Sequence, residues 1–534
     1  MHKPSPTPVL SETQIASLST VEIQGMFQSQ AQTIDELRHQ LAWFQRQVFG
    51  PKSERLALLQ DERQLALETL APAAEGRPEK VQSVAAHTRR SSSKDDPRGE
   101  ADSIPFFDEA RVPVETVTIS NAEFEGLNAD QFEVIGEKVS YRLAQRPGSY
   151  VVLKYVRTLI KRKDTQTLHC SPAPQGVIDG SRADVSFLAG LIVDKMAYHL
   201  PLYRQHQRLQ DCGIQVSRAW LTQLGQQGIG LLEPIYAAQL DSIRASRVKA
   251  MDETPIKAGR SGHGKMRTGY FWPVYGGQDE VCFPFFPSRH AEHVRTLLGA
   301  THDPQSVLLT DGYAAYDGYA KKIGITHARC WTHCRRKFFE AHADEPEAVE
   351  QALKRIAALY QIEEEIRTRQ LAGEGKRLHR LSHSKPHVDA FFDWVSRQFE
   401  WQGLTPTRPF TVALEYARER RLGLEVFLTD PDVPVDTNHL ERALRAIPMG
   451  RKSWNFCWTE LGAKHVGIAQ SLIVTCRLHG IDPYTYLVDV LQRVGQHPAA
   501  RVAELTPRLW KVLFADHALR SDLHRTTAAR ESAA

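Results

Sequence analysis

Ser306-Val307-Leu308-Leu309-Thr310-Asp311-Gly312-Tyr313 is a short apolar run that ends in a carboxylate and then a glycine. Such a run, bounded by a turn signal, reads as a buried strand. Loops at the carboxyl ends of these strands are where α/β proteins place ligands and chemistry. Asp311 is therefore a candidate metal-binding or acid–base group. The Asp-Gly pair is equally ordinary turn chemistry, so on this stretch alone Asp311 could serve only to shape the turn.

Working outward, Val248-Lys249-Ala250-Met251-Asp252-Glu253-Thr254 is a second short run that delivers an acid. Residues 269–276 and 281–286 look like two further strands in a meander, and a helix over 291–298 leads into the strand at 307–310. Three strands, a helix and a strand form the opening order of a ribonuclease-H-like α/β fold. Its first and fourth strands are parallel neighbours, which would set Asp252 beside Asp311. Two adjacent carboxylates repel unless a cation sits between them. Oxygen ligands with an open shell suit Mg²⁺ or Mn²⁺ rather than Zn²⁺. The third acid has to come later. Residues 435–445 read as a helix that opens on capping residues and closes at Pro448. Asn438, Glu441, Arg442 and Arg445 are spaced to share one face. A solvated ion-pair stripe has the same spacing, but an acid flanked by arginines also suits a metal ligand beside phosphate-binding cations. Asp436 and Glu425 are the alternatives for this third position. Gly450-Arg451-Lys452-Ser453-Trp454 adds cations and an aromatic suited to phosphate and base contacts.

Further from the acids, Phe27, Ile34, Leu37, Leu41, Phe44 and Val48 form a heptad-like stripe, read as a short coiled coil or an amphipathic helix packed on its own domain. Residues 72–103 are rich in Pro, Ser and charge and read as a disordered linker. From Val114 the pattern alternates as in short antiparallel strands. Lys154, Arg157, Lys161, Arg162 and Lys163 make a basic ribbon there, fit for nucleic acid or for protecting an edge strand. Residues 209–221 give a helix, a glycine turn and a serine-capped second helix, the grammar of a helix-turn-helix and also of a plain helical hairpin. Arg218 and Gln223 open that second helix. The 130 positions from Asp311 to Glu441 exceed any simple connection and read as a helical insertion. Helices are expected again over 463–478 and 483–494.

A chain of 534 residues divides into several domains. The net charge of +4 is too small to indicate a nucleic-acid partner by itself, so any basic footprint must be local. Seven cysteines, an odd number widely spread, suggest a reducing, cytoplasmic compartment rather than a disulfide framework. No apolar signal core or membrane-length stretch is present in the sequence.

Several stretches, in order, resemble the signatures of bacterial insertion sequence 66-type (IS66 family) transposases. They are Phe49-Gly50-Pro51-Lys52-Ser53-Glu54-Arg55, His199-Leu200-Pro201-Leu202-Tyr203-Arg204-Gln205, Met251-Asp252-Glu253-Thr254 and Thr310-Asp311-Gly312-Tyr313. Downstream follow Cys330-Trp331-Thr332-His333-Cys334-Arg335-Arg336-Lys337-Phe338, Asn438 through Arg445, Gly450 through Trp454, and Gly480 through Leu487. The resemblance implies a DDE catalytic protein whose triad falls on Asp252, Asp311 and Glu441, holding two Mg²⁺ ions (Mn²⁺ can substitute). It implies cleavage at the ends of an insertion sequence and transfer of the 3′-hydroxyl into target DNA. The expected partner is double-stranded DNA, with Arg218, Arg335, Arg336, Lys337, Arg442, Arg445, Arg451 and Lys452 as its expected contacts. A homo-oligomer through the coiled coil and companion proteins of the same element are further expectations. The layout reads 1–71 helical coiled coil, 72–103 linker, 104–180 β-rich module, 181–240 helix-turn-helix, 241–340 with 436–460 catalytic, 341–435 helical insertion, and 461–534 C-terminal helices. The family's zinc module is not expected at 119–174, where Cys170 stands alone. Cys330 and His333, with Asn438, are expected to support the site rather than to bind zinc. A DNA-binding regulator with an inert catalytic domain and a metal-dependent nuclease are the rival readings.

Overall fold

The structure, a computed structural model, describes residues 106–108, 112–119, 132–146, 148–262, 265–300, 303–400, 404–454 and 457–524. The expected coiled coil at 1–71 and linker at 72–103 lie outside them.

The β-rich module is a sheet of β1 (Val114–Ile119), β2 (Phe132–Arg146), β3 (Ser149–Arg162) and β4 (Leu168–Cys170). β2 and β3 form one long hairpin, and the two runs read separately at 132–135 and 138–143 are a single strand with a register shift between Val134 and Gly136. A bulge of this kind breaks the period-2 pattern without ending the strand. β1 pairs with β3 in parallel, against the antiparallel expectation. With β2 on one side and β1 and β4 on the other, β3 is interior, which removes edge protection as the reason for its basic residues.

Four helices follow: α1 (Val185–Met196), α2 (Leu202–Asp211), α3 (Arg218–Leu231) and α4 (Glu233–Ala245). The α2–α3 turn contains Gly213 at φ +85°, and the Ser217 hydroxyl accepts from Trp220 N at 3.1 Å to cap α3. This is the expected helix, turn and capped helix, with Arg218 exposed at the start of α3 beside the Tyr203 ring.

The chain then builds β5 (Val248–Met251), β6 (Thr254–Gly262), β7 (Lys265–Phe271), β8 (Val274–Gly276), β9 (Glu280–Cys282), β10 (Phe285–Phe286), α5 (Glu292–Leu298), β11 (Val307–Thr310), α6 (Ala314–Ile323) and β12 (Thr326–Arg329). The main sheet has the order β12-β11-β5-β8-β9, parallel across its first three strands and antiparallel across the rest. Val307 to Thr310 are all buried, as a strand covered on both faces requires. Each meander strand expected from the sequence is split between two sheets: Pro273 separates β7 from β8, and Pro284 separates β9 from β10. Proline cannot donate to a ladder and marks where a strand leaves its sheet. β10, β7 and β6 form a second, three-stranded sheet.

After β12, the described residues up to α13 build only helices: α7 (Trp331–Glu340), α8 (Pro346–Thr368), α9 (Gly373–His379), α10 (Lys385–Phe399), α11 (Pro409–Glu419) and α12 (Arg421–Thr429). Fully buried Arg380, in a π-helical turn after α9, pairs with Glu363 at 2.8 Å and donates to the carbonyls of Phe427 and Val433. That clip holds the end of the insertion against its longest helix. The chain closes with α13 (Asn438–Leu444), α14 (Ala446–Trp454), α15 (Glu460–Leu478), α16 (Pro483–Arg493) and α17 (Pro507–Leu513). Pro448 does not close the helix as expected. The break falls at Arg445, and Pro448 sits in the first turn of α14, where a missing amide costs no helical bond.

α15 is buried on every side along most of its length. It seals the β9 edge of the main sheet. Thr475 Oγ1 accepts from Val281 N at 3.2 Å, and Ser471 Oγ accepts from Phe283 N at 2.9 Å. From α4, Gln239 donates to Val281 O at 2.9 Å. Side chains thus take the place of a missing neighbour strand. All seven cysteines are free thiols, and among the described residues no helix is long and apolar enough to cross a membrane.

Candidate active site

β5 and β11 are neighbours in register, with Val248 opposite Val307 and Ala250 opposite Leu309. Both strands therefore release their acids at the same end of the sheet. Asp252 and Asp311 line one cavity of about 760 Å³, and Glu441 on α13 reaches the same cavity. Asp311 Oδ1 accepts from Tyr313 N at 2.9 Å, so the turn anticipated from Asp-Gly forms and fixes the carboxylate. Gly312 has no room for a side chain, because an added Cβ would lie 2.7 Å from the Tyr416 ring. Asp252 Oδ1 accepts from Glu253 N at 2.8 Å. Burial pushes the Asp252 carboxyl up to about 7, and the charges of Glu253, Asp311 and Glu441 push the same way.

Glu441 has one oxygen, Oε1, buried without a hydrogen-bond partner. His333 Nε2 and an Arg336 nitrogen each lie 3.9 Å from its carboxylate. The two alternatives for the third acid stand elsewhere. Asp436 accepts from Asn438 N at 3.0 Å and from the Thr332 hydroxyl at 3.2 Å, ahead of α13. Glu425 pairs with Arg421 at 2.8 Å. Neither lines the cavity.

The expected supporting residues divide. Cys330 is buried, and its sulfur accepts from Thr437 N and Oγ1 at 3.3 and 3.2 Å, which ties the start of α7 to the approach to α13. Burial raises its thiol to about 11. Cys334 is also in the core, while His333 lines the cavity with Nδ1 unpartnered. Burial lowers the His333 pKa. Asn438 donates to Asp436 rather than reaching the cavity.

Among the expected DNA contacts, Arg336, Lys337 and Arg445 line the acid cavity, and Arg335 does not. Arg442 does not share the Glu441 face in the way its spacing suggested and lines a different cavity. Arg451 donates to Pro255 O, next to Thr254 of the acid cavity, and Lys452 is exposed. Sequence reasoning missed Glu253 and Arg289. Glu253, nearly buried, accepts from Tyr316 Oη at 2.6 Å and from Arg289 Nε at 2.9 Å. Arg289 lies 4.1 Å from the centre of the Tyr313 ring and lines the cavity. The only sequence signal was the doublet Asp252-Glu253.

Carboxylate oxygens are the donor type that a divalent cation of the Mg²⁺ class takes. Asp252, Asp311 and Glu441 line the cavity together with Glu253 and Glu340; Glu441 has an orphaned oxygen, and burial with the neighbouring charges raises the Asp252 carboxyl. As the side chains stand, no three such groups among the described residues are close enough to encircle an ion.

The description "Transposase IS66 family" matches residues 180–465, and "IS66 C-terminal element" matches 471–508. "Transposase C of IS166 homeodomain" matches 36–100, outside the described residues. Among relatives, the uncharacterized protein y4hP of Sinorhizobium fredii is 30% identical over 498 residues, covering 87% of each chain. The uncharacterized protein y4qI of the same organism is 30% identical over 394 residues, 70% of this chain and 71% of its own.

Proposed function

The chain belongs to the IS66 family of transposases, and on that premise we propose that it is a DNA transposase that cuts at the ends of an insertion sequence and joins the freed 3′-hydroxyl to target DNA. The observation that carries this reading is the convergence of Asp252, Asp311 and Glu441 from two parallel strands and a distant helix on one cavity. The main sheet's strand order supports the ribonuclease-H-like reading of the domain that holds them.

Asp252, Asp311 and Glu441 are the residues that would hold Mg²⁺. When bound, a pair of such ions activates an attacking oxygen and stabilises a leaving one. The chain's own cations act on the DNA. Arg289, Arg336, Lys337, Arg420 and Arg445 stand around the acids and would draw a phosphodiester toward carboxylates that otherwise repel it. Glu253 holds Arg289 by its guanidinium, so this cation is pre-aimed rather than free to rotate.

Asp311→Asn should abolish cleavage and strand joining on DNA carrying the element's ends, while binding to those ends survives. Retained cleavage overturns the assignment of the acids.

A further inference from the structure

A second cavity, of about 810 Å³, lies across the α13–α14 junction from the first, and Arg445 lines both. Its wall comes from four distant segments: the end of α1, the β8–β9 turn, α13 with α14, and the last turns of α15. Part of that wall is aromatic. Tyr275 and His439 meet edge to face at 4.7 Å, and Tyr198 stands 70% exposed. Part is cationic. Arg442, Arg445 and Arg477 all line it and form no ion pair among the described residues; Arg442 and Arg477 donate only to the carbonyls of Asn438 and Ala197. The single carboxylate, Asp279, is occupied by Tyr275 Oη at 2.7 Å. The backbone is strained here as well. Four described non-glycine residues have a left-handed φ, and two of them, His199 at +57° and Asp279 at +54°, line this cavity. Strain of that kind persists where the surroundings enforce it and gathers at ligand sites. His199 Nδ1 is also buried without a partner.

Aromatic faces with unpaired arginines are the chemistry of single-stranded nucleic acid, where bases stack and guanidinium groups take the phosphates. A volume of about 810 Å³ lies within the range of small-molecule sites and is enough for one nucleotide. We propose that this cavity takes one unstacked nucleotide of the DNA strand engaged at the acids, with its base against the Tyr198 side and its phosphate among Arg442, Arg445 and Arg477. The assignment rests on the transposase reading and adds that the strand is separated next to the cut. Arg445, between the two cavities, would contact the phosphate they share.

The test uses the full-length protein and duplexes carrying the ends of its own element, with 5-iododeoxyuridine placed singly at each position flanking the cut. After irradiation, one or two adjacent positions should crosslink to peptides containing Tyr198, Tyr275 or Met449. Tyr198→Ala should weaken end binding about tenfold, the scale of one base–aromatic stack, and lose that crosslink. Tyr198→Phe should keep both. Crosslinks only elsewhere, together with wild-type affinity in Tyr198→Ala, overturn the nucleotide site while cleavage by the same protein leaves the transposase reading standing. Wild-type protein that neither binds nor cuts the ends overturns both.

Discussion

Burial and the charges of Glu253, Asp311 and Glu441 raise the Asp252 carboxyl, and positive charge arriving beside it would favour its ionised form. Each acid at this end of the sheet therefore has a definite partner or a definite want of one, and single substitutions separate the cases. Glu441→Gln removes the acid whose oxygen is orphaned. Losing even an outer partner of a metal ligand costs about 10–100-fold, so metal-dependent cleavage should fall by more than that. Asp436→Asn should leave cleavage measurable and lower thermal stability by about 1 kcal/mol, because Oδ2, which accepts from the Thr332 hydroxyl and the Asn438 side-chain amide, becomes a nitrogen that cannot accept. The opposite pattern would move the third acid to Asp436. A second residue-scale prediction concerns His327 of β12, which shares a hydrogen bond of 2.8 Å with Thr310 Oγ1 of the neighbouring strand β11. Burial, with Arg329 nearby, pushes its pKa down to about 4. The unfolded chain binds this proton near pH 6.5, so between pH 6.5 and 4 the unfolded state holds more protons. Stability is therefore full above pH 6.5 and declines as pH falls toward 4, by on the order of 3 kcal/mol at most from this group. Urea melts of His327→Gln should show a flatter decline across that window, and an unchanged slope would exonerate the histidine.

At the scale of elements, the β6–β7 hairpin leaves the acid cavity at Thr254 and returns without a single acidic residue through Phe271. Lys257, Arg260, Lys265 and Arg267 on it are exposed, and Arg260 lies 4.6 Å from the centre of the Trp458 ring. A basic arm beside the acids is placed to lie along a DNA backbone. Replacing the four cations with alanine should reduce the dependence of log K on log salt by about one for each phosphate that is no longer neutralised. Affinity should drop across unrelated sequences alike. A change confined to the element's own ends would instead mark base readout. Only the end of this hairpin, inside the run at 269–276, was legible in the sequence. Thr254, Ile256 and Ala258 do alternate inward, but Pro255, Gly259 and Gly262 read as turn residues, so the strand signal is drowned. Val248–Met251 and Val307–Thr310 were legible because a strand buried on both faces must be apolar throughout, and each carries its acid immediately after. The helix boundary at Arg445 was misplaced for a different reason: proline is read as a stop, although a first turn tolerates it as well as a loop does.

At the scale of the whole chain, the site is assembled from segments that sequence spacing cannot relate. The 130 positions from Asp311 to Glu441 add β12 to the sheet and then run through helices, whose clip at Arg380 and bidentate pair of Arg247 with Asp430 return the chain to the sheet. The acids could be found from their local signatures. The second cavity could not, since its walls are brought together only by packing and no short motif records that. The family match at 180–465 stops within α15, and the next begins at 471. That helix is where the sheet's last strand finds its substitutes for a neighbour, from Ser471 and Thr475. A fragment ending at residue 465 would keep all three acids and still expose the amides of Val281 and Phe283 as a bare edge. Expressed alone, it should pass into the insoluble fraction or form concentration-dependent oligomers seen by light scattering, whereas a fragment ending near residue 524 stays monodisperse. The boundary at which a working piece of this protein can be cut is thus set by the buried helix that closes the sheet's edge, well past Glu441.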